Sequence, residues 1–141
     1  MTCPQSPGID VRPRIRIVTG DEIALGPGKA DLLAAIAAEG TIAGAAKQLG
    51  MSYMRAWSLV RTMNRCFRAP LVETARGGSM RGSAALTAVG QEVLALYRRM
   101  EVASRTGLEP AWLRLRPYLK VPRSTERAPR KPRQGSGVKK P

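Results

Sequence analysis

A mainly α-helical fold carrying a small β wing is the class this sequence predicts, on three observations. The stretch from Gly40 to Phe67, GTIAGAAKQLGMSYMRAWSLVRTMNRCF, reads as a short helix of small residues, a tight turn at Leu49-Gly50-Met51 and a longer basic helix. That is the layout of a helix-turn-helix, whose second helix lies in the DNA major groove. Two strand-like stretches flanking a Gly-rich basic loop follow it, as in a β-hairpin. A long helix with a broad apolar stripe comes last, from about Ala88 to Ser104. Together these spell a winged helix-turn-helix with a long C-terminal dimerisation helix.

The elements follow in order. Residues 1–13 are Pro-rich and read as a flexible N-terminus. Arg14-Ile15-Arg16-Ile17-Val18 alternates charged and apolar residues, as a half-buried strand does. Thr19-Gly20-Asp21-Glu22 is a turn signal, and Ile23-Ala24-Leu25 is a second short strand. A first helix spans about Gly28 to Glu39, with Leu32, Leu33, Ile36 and Ala37 on one face. Gly40 ends it. Thr41 is an N-cap for a second helix, Ile42 to Gln48, whose Ala43, Gly44, Ala45 and Ala46 permit close helix crossing. Gly50 supplies a left-handed terminator. Ser52 caps the third helix, which stops near Arg68, before Ala69-Pro70.

In that third helix the spacing puts Tyr53, Ala56, Trp57, Val60 and Asn64 inward. Met54, Arg55, Ser58, Arg61, Thr62 and Arg65 fall outward. Leu71–Thr74 and Ala84–Thr87 are the hairpin strands around ARGGSMRGS. In the fourth helix Val89, Val93, Leu94, Leu96, Tyr97 and Met100 form an apolar surplus. It suits packing against the same helix of a second copy, or against the N-terminal strands. Gly107-Leu108-Glu109-Pro110 is expected to break this helix, with a short turn or helix from Ala111 to Tyr118. Residues beyond Pro117 read as disordered from their Pro, Arg, Lys, Gly and Ser content.

Composition narrows the partners. The 141-residue chain carries 24 Lys/Arg and 10 Asp/Glu, no histidine and a formal charge of +14. The imbalance is uneven: residues 1–109 hold 14 Lys/Arg and 9 Asp/Glu, and residues 110–141 hold 10 and 1. A basic body with a more basic tail points to a polyanion, most simply double-stranded DNA. No run approaches the ~18 apolar residues of a membrane span, and the N-terminus lacks the apolar centre of a secretory signal. Cys3 and Cys66 are too few for a disulfide framework; Cys66 reads as a buried free thiol, its arginine neighbours leaving a redox role as the alternative. A cytoplasmic, nucleoid-associated protein is expected.

The candidate site residues follow from charge and position. Between Ser52 and Arg68 lie Arg55, Arg61, Arg65 and Arg68 and no acid. Arginine on an outward helix face pairs bidentately with guanine O6 and N7, worth about 1–3 kcal/mol of base discrimination. Ser52 and Tyr53 stand at the helix start, where phosphate is attracted and hydroxyls set register; Tyr53 reads equally well as core. Trp57 reads as core, locking the third helix onto the first two. Lys47 is a backbone contact or a solvated lysine. Arg76 and Arg81, in the glycine loop, follow phosphates or enter the minor groove unless the loop is a floppy turn.

Other chemistries fail. Gly26-Pro27-Gly28-Lys29-Ala30 lacks the spacing and the Ser/Thr of a phosphate loop and reads better as a helix entry. No histidine, unclustered cysteines and scattered acids give neither a zinc site nor paired carboxylates, so no cofactor, metal or catalytic residue is expected, and an enzyme is not the reading.

The ordered set Gly50-Met51-Ser52-Tyr53, Ala56-Trp57, Met63-Asn64, Leu71-Val72-Glu73, Gly77-Gly78 and Leu86-Thr87-Ala88-Val89-Gly90 resembles the DNA-binding domain of the ModE family of molybdate-responsive regulators. Related winged domains occur in LysR-type regulators. The resemblance covers about Arg14 to Ser104. It implies a winged helix-turn-helix that dimerises through the long flanking helices and binds a palindromic promoter site. It also implies a recognition helix begun by Ser52, Tyr53, Arg55 and Ser58, and a wing at Arg76 to Gly82. Full-length members carry molybdate-binding β-barrel domains after this part, whereas a short basic tail stands here, so direct molybdate binding is not expected.

The resulting division is a flexible stretch at 1–13, a DNA-binding domain at 14–106 and a basic tail at 107–141. The function is that of a sequence-specific, homodimeric transcription regulator. Two alternatives stand beside it. One is a low-specificity, nucleoid-like DNA binder driven by the tail. The other is an interaction module that grips an acidic protein.

Overall fold

A computed structural model describes residues 8–75 and 82–122. Its elements are β1 (Ile17–Thr19), β2 (Glu22–Leu25), α1 (Pro27–Glu39), α2 (Ile42–Leu49), α3 (Tyr53–Cys66), β3 (Val72–Thr74), β4 (Ala84–Leu86), α4 (Ala88–Leu115) and a 3-10 turn at Arg116–Tyr118. Each strand pair forms its own two-stranded antiparallel sheet, β1 with β2 and β3 with β4. Residues 12–109 make one compact unit; residues 8–11 and 110–122 are the described part of a second, in which Gly8 lies against Pro122.

The first hairpin closes through Gly20, whose φ of +59° suits glycine at the first of two loop residues. Pairing is confined to Ile17–Thr19 and Glu22–Leu25, so the expected strand from Arg14 begins later. Pro27, at the first turn of α1, has its φ preset for a helix. Lys29 donates to the Ile23 carbonyl, which fixes this segment as a helix entry. Ala30, Leu32, Leu33, Ala35 and Ile36 of α1 are buried. Ala37, expected inward, is exposed, because the whole last turn, Ala37–Glu39, runs past the core.

The turn between α2 and α3 is built from capping groups. Thr41 Oγ1 accepts the Gly44 N–H at 2.9 Å and opens α2. At its end the Met51 N–H bonds the Ala46 carbonyl at 3.0 Å and the Gly50 N–H bonds Lys47 at 3.2 Å. This is a Schellman turn, with Gly50 left-handed at φ 66°. Ser52 Oγ accepts the Arg55 N–H at 3.1 Å and caps α3, which starts at the next residue, Tyr53. Ala56, Val60 and Met63 of α3 are fully buried. Met63 was not among the residues the spacing placed inward; it continues the Ala56–Val60 row around the helix.

Asn64 ties α3 to the second hairpin. Its Oδ1 accepts the Leu71 and Val72 N–H groups at 2.9 and 3.2 Å, and its Nδ2 donates to the Val72 carbonyl at 3.0 Å. The β3–β4 hairpin is anchored from behind by the Ala84 N–H donating to Gly40. Thr87 is a cap rather than a strand end: its Oγ1 accepts the Gly90 N–H at 3.0 Å and donates to Pro70.

α4 crosses over the core. A Cβ at Gly90 would sit 2.1 Å from the Leu71 carbonyl oxygen, so only glycine permits this approach. Tyr97 is buried, with its hydroxyl donating to the Ile15 carbonyl at 2.8 Å. Arg98 bridges Asp31 of α1 and Glu101. The expected break at Gly107–Pro110 does not occur: α4 runs on to Leu115 with Pro110 inside it. Proline removes one hydrogen bond and crowds the carbonyl four residues back. Gly107 keeps helical backbone instead of the left-handed conformation of a terminating glycine, so no cap closes the helix ahead of Pro110. Among the described residues, no helix is long and apolar enough to cross a membrane.

Candidate nucleic-acid interface

The helix-turn-helix core presents α3 outward along one side. At 100° per residue, Met54, Ser58, Arg61 and Arg65 form one row, with Arg55 and Thr62 beside it. Met54 is 75 % exposed, and Arg55, Ser58, Arg61 and Arg65 are all exposed. Fourteen residues give α3 a length of ~21 Å, and Arg55 and Arg61 are spaced along the axis by ~9 Å. The major groove, ~12 Å wide, admits such a helix. No salt bridge among the described residues engages Arg55, Arg61 or Lys47.

Arg65 differs from its row. Its guanidinium is gripped by the Glu22 carboxylate of β2, through both Nε and Nη2. The ridge that is acid-free in sequence therefore receives an acid from the first hairpin. The bonds from Arg65, and then from Cys66, hold the Glu22 carboxyl below its ordinary range. Cys66 is half-buried rather than buried. Its Sγ donates to Glu22 at 3.4 Å, and desolvation, followed by the carboxylate, pushes the thiol upward. The arginine neighbour does not activate it.

Ser52 and Tyr53 stand at the opening of α3. The Ser52 hydroxyl accepts from the backbone and remains exposed. Tyr53 lies on the inward side by angle, yet it is 48 % exposed. It occupies the first turn, where the core no longer extends beneath the helix. Trp57, expected as core, is half-buried; it packs on the core with one side and donates its Nε1–H to the Tyr53 hydroxyl at 2.6 Å. Thr62 Oγ1 donates to the Ser58 carbonyl at 3.0 Å. Lys47 is exposed near the end of α2. Arg76 and Arg81, the loop residues singled out above, lie outside the described residues.

The apolar surplus of α4 divides. Tyr97 is 1 % exposed and belongs to this chain's own core, with Val93 and Leu94 packed beside it. Val89, Leu96 and Met100 remain 41 %, 44 % and 43 % exposed. Among the described residues, no group of three His, Cys, Asp or Glu side chains is placed to hold a metal ion.

Fold and site define the winged helix-turn-helix class: an exposed basic second helix flanked by a β-hairpin and backed by a long helix. Residues 29–91 match the family described as bacterial regulatory helix-turn-helix protein, lysR family. The N-terminal half is 50 % identical over 72 residues to the molybdenum-pterin-binding protein MopA of Rhodobacter capsulatus, covering 51 % of this chain and 27 % of that protein. Over 96 residues the chain is 36 % identical to the molybdenum transport protein ModE of Azotobacter vinelandii, covering 68 % of this chain and 36 % of that protein. Over 71 residues it is 42 % identical to the DNA-binding transcriptional dual regulator ModE of Escherichia coli, covering 50 % and 27 %. The DNA-binding domain of CbnR, solved as a DNA complex, is 26 % identical with a TM-score of 0.48, covering 60 % of this chain and 92 % of that one. These comparisons place the similarity to LysR-type and ModE proteins in the helix-turn-helix part of the chain. The chain spans about a third or less of the length of these ModE and Mop relatives.

Proposed function

We propose that this protein is a sequence-specific DNA-binding transcription regulator, with α3 as the major-groove helix. The observation that carries the reading is the exposed outer row of α3, where Arg55 and Arg61 meet no acid of the described chain. Lys and Arg release counterions from phosphates, and arginine also reads guanine. Ser52, Tyr53 and Ser58 add hydroxyls along the same approach, and Lys47 a backbone contact. Arg76 and Arg81, outside the described residues, enter this reading from the sequence alone, as basic residues of a glycine-rich loop. The relatives' names, transcriptional regulator and DNA-binding among them, support the same assignment.

Homodimerisation through α4 belongs to this reading. The exposed Val89, Leu96 and Met100, with half-buried Val93 between them, recur at alternating spacings of four and three, the seam of a coiled coil. Half-site centres then lie one helical turn, or a multiple, apart. The place of action is the cytoplasm, with the DNA. Catalysis has no part in the reading. No oxyanion site is assigned within the described residues, and molybdate is expected to leave duplex affinity unchanged.

Selection of duplexes from a random pool at about 150 mM salt tests this, because phosphate attraction is then screened. A two-fold symmetric motif is the expected result. A pool that stays random, or binding untouched by Arg55→Ala with Arg61→Ala, rejects it.

A further inference from the structure

Resting on the reading of α3 as the groove helix, we propose that Trp57 is a positioning residue that makes the Tyr53 hydroxyl a hydrogen-bond donor to an acceptor atom on the duplex. The two rings are edge to face, with centroids 6.4 Å apart and planes at 84°. The indole N–H reaches the phenol oxygen at 2.6 Å. Trp57 is held by the core on its other side, while Tyr53 is half exposed at the start of the helix.

The chemistry of the pair is directional. An indole N–H only donates, so the tyrosine oxygen must accept from it. The phenol keeps one proton, and no other hydrogen bond engages this side chain among the described residues. Accepting one bond polarises the O–H and strengthens it as a donor. A free tyrosine rotates and serves water as donor or acceptor; this one is aimed and biased toward donation. It matches a phosphate oxygen, a purine N7, guanine O6 or thymine O4. It mismatches the amino groups of cytosine and adenine, which are themselves donors. Trp57 therefore acts on the duplex through Tyr53, without touching it.

The full chain tests this, with a duplex chosen by selection and a scrambled duplex of equal length. The protein has two tryptophans, so in a Trp112→Phe background the emission reports Trp57 alone. Tyr53→Phe is expected to shift that emission before DNA is added, and to weaken binding by about tenfold. Trp57→Phe is expected to weaken binding by about threefold, with the double variant no weaker than Tyr53→Phe, since coupled residues are not additive. The salt dependence stays that of the parent, because no charge is lost. Equal losses on both duplexes identify a phosphate acceptor; a loss confined to the selected duplex identifies a base acceptor. Either supports the proposal. Additive losses, or binding unchanged by Tyr53→Phe while Arg55→Ala with Arg61→Ala weakens it, overturn it. Binding unchanged by the arginine pair rejects the groove reading instead. Should Trp57→Phe lower the melting midpoint, the emission of the Tyr53→Phe protein decides, and an unshifted spectrum overturns the pairing.

Discussion

The Glu22 carboxylate holds the Arg65 guanidinium, so a residue of the first hairpin withdraws one arginine from the outer row of α3. The two lie 43 positions apart in sequence. Both side chains are largely exposed, so the bond matters more for the charge offered to a polyanion than for stability. Each Lys or Arg that neutralises a phosphate adds about 0.9 to the slope of log K against log salt. Arg61→Ala is therefore expected to lower the slope by ~0.9, and Arg65→Ala to leave it unchanged. Anisotropy titrations over a salt series check this; equal slopes for the two variants would show the ion pair opening on DNA.

The same carboxylate predicts a pH dependence. Its folded-state proton affinity is depressed by Arg65 and Cys66, so its contribution to stability is complete above the ordinary carboxylate range and disappears as pH falls through the lower, folded value. Glu22→Gln is expected to flatten this part of the acid limb of the melting profile. The Cys66 thiol runs the other way. Burial, then Glu22, raise it, so its contribution is present below the ordinary thiol range and is lost as pH rises through the folded value. Alkylation of Cys66 in the folded protein should be slower than that of a free thiol near pH 8, and Glu22→Gln should accelerate it. A rate unaffected by Glu22→Gln would remove the carboxylate as a cause.

Asn64 makes three hydrogen bonds to the backbone of Leu71 and Val72. Asn64→Ala leaves these half-buried groups without partners and is expected to cost about 1–3 kcal/mol. Asn64→Asp keeps the acceptor but replaces the Nδ2 donor facing the Val72 carbonyl. Urea denaturation of both checks whether the clamp, rather than helix propensity, sets the loss.

Two glycines of α4 are expected to respond with opposite sign. Gly90→Ala drives a methyl into the Leu71 carbonyl and should destabilise by ~3 kcal/mol or more. Nothing lies within 4 Å of a Cβ at Gly107. Gly107→Ala should stabilise by about 0.5–1 kcal/mol, the helix penalty of glycine. Thermal melting of the two variants gives the comparison.

The exposed seam of α4 predicts association. Leu96→Asp with Met100→Glu places charge on residues that this chain does not bury. Sedimentation should show the pair shifting dimer toward monomer while the monomer's melting cooperativity is retained. A parent protein that sediments as a monomer at micromolar concentration rejects the seam.

Much of this molecule was legible along the chain, because its signals are local. Thr41, Gly50 and Ser52 sit where caps and a left-handed turn are needed, and each bonds to residues within five positions of itself. The alternation from Arg14 to Val18, the 3.6-residue period of α1 and the exposed arginines of α3 follow in the same way. Where reading failed, the deciding partner lay elsewhere. Tyr53 has an inward angle but no core beneath it, and Trp57 is consequently half-buried. Of the two partners open to the α4 stripe, Tyr97 takes the N-terminal segment of its own chain, its hydroxyl bonding the Ile15 carbonyl. Asn64, a polar residue on an apolar face, was the one available signal of the clamp to β3.

Sequence alone therefore determined the succession of elements, the turn between α2 and α3, and the absence of acids along α3 itself. These depend on backbone preferences and side-chain periods within a few residues. Only the tertiary structure decided that Arg65 is paired with Glu22, that Gly90 must lack a side chain, and that Trp57 is left half-buried with its N–H on the Tyr53 hydroxyl. The first two depend on groups brought within contact across the fold, and the third on where the core ends beneath α3; spacing along one helix records neither.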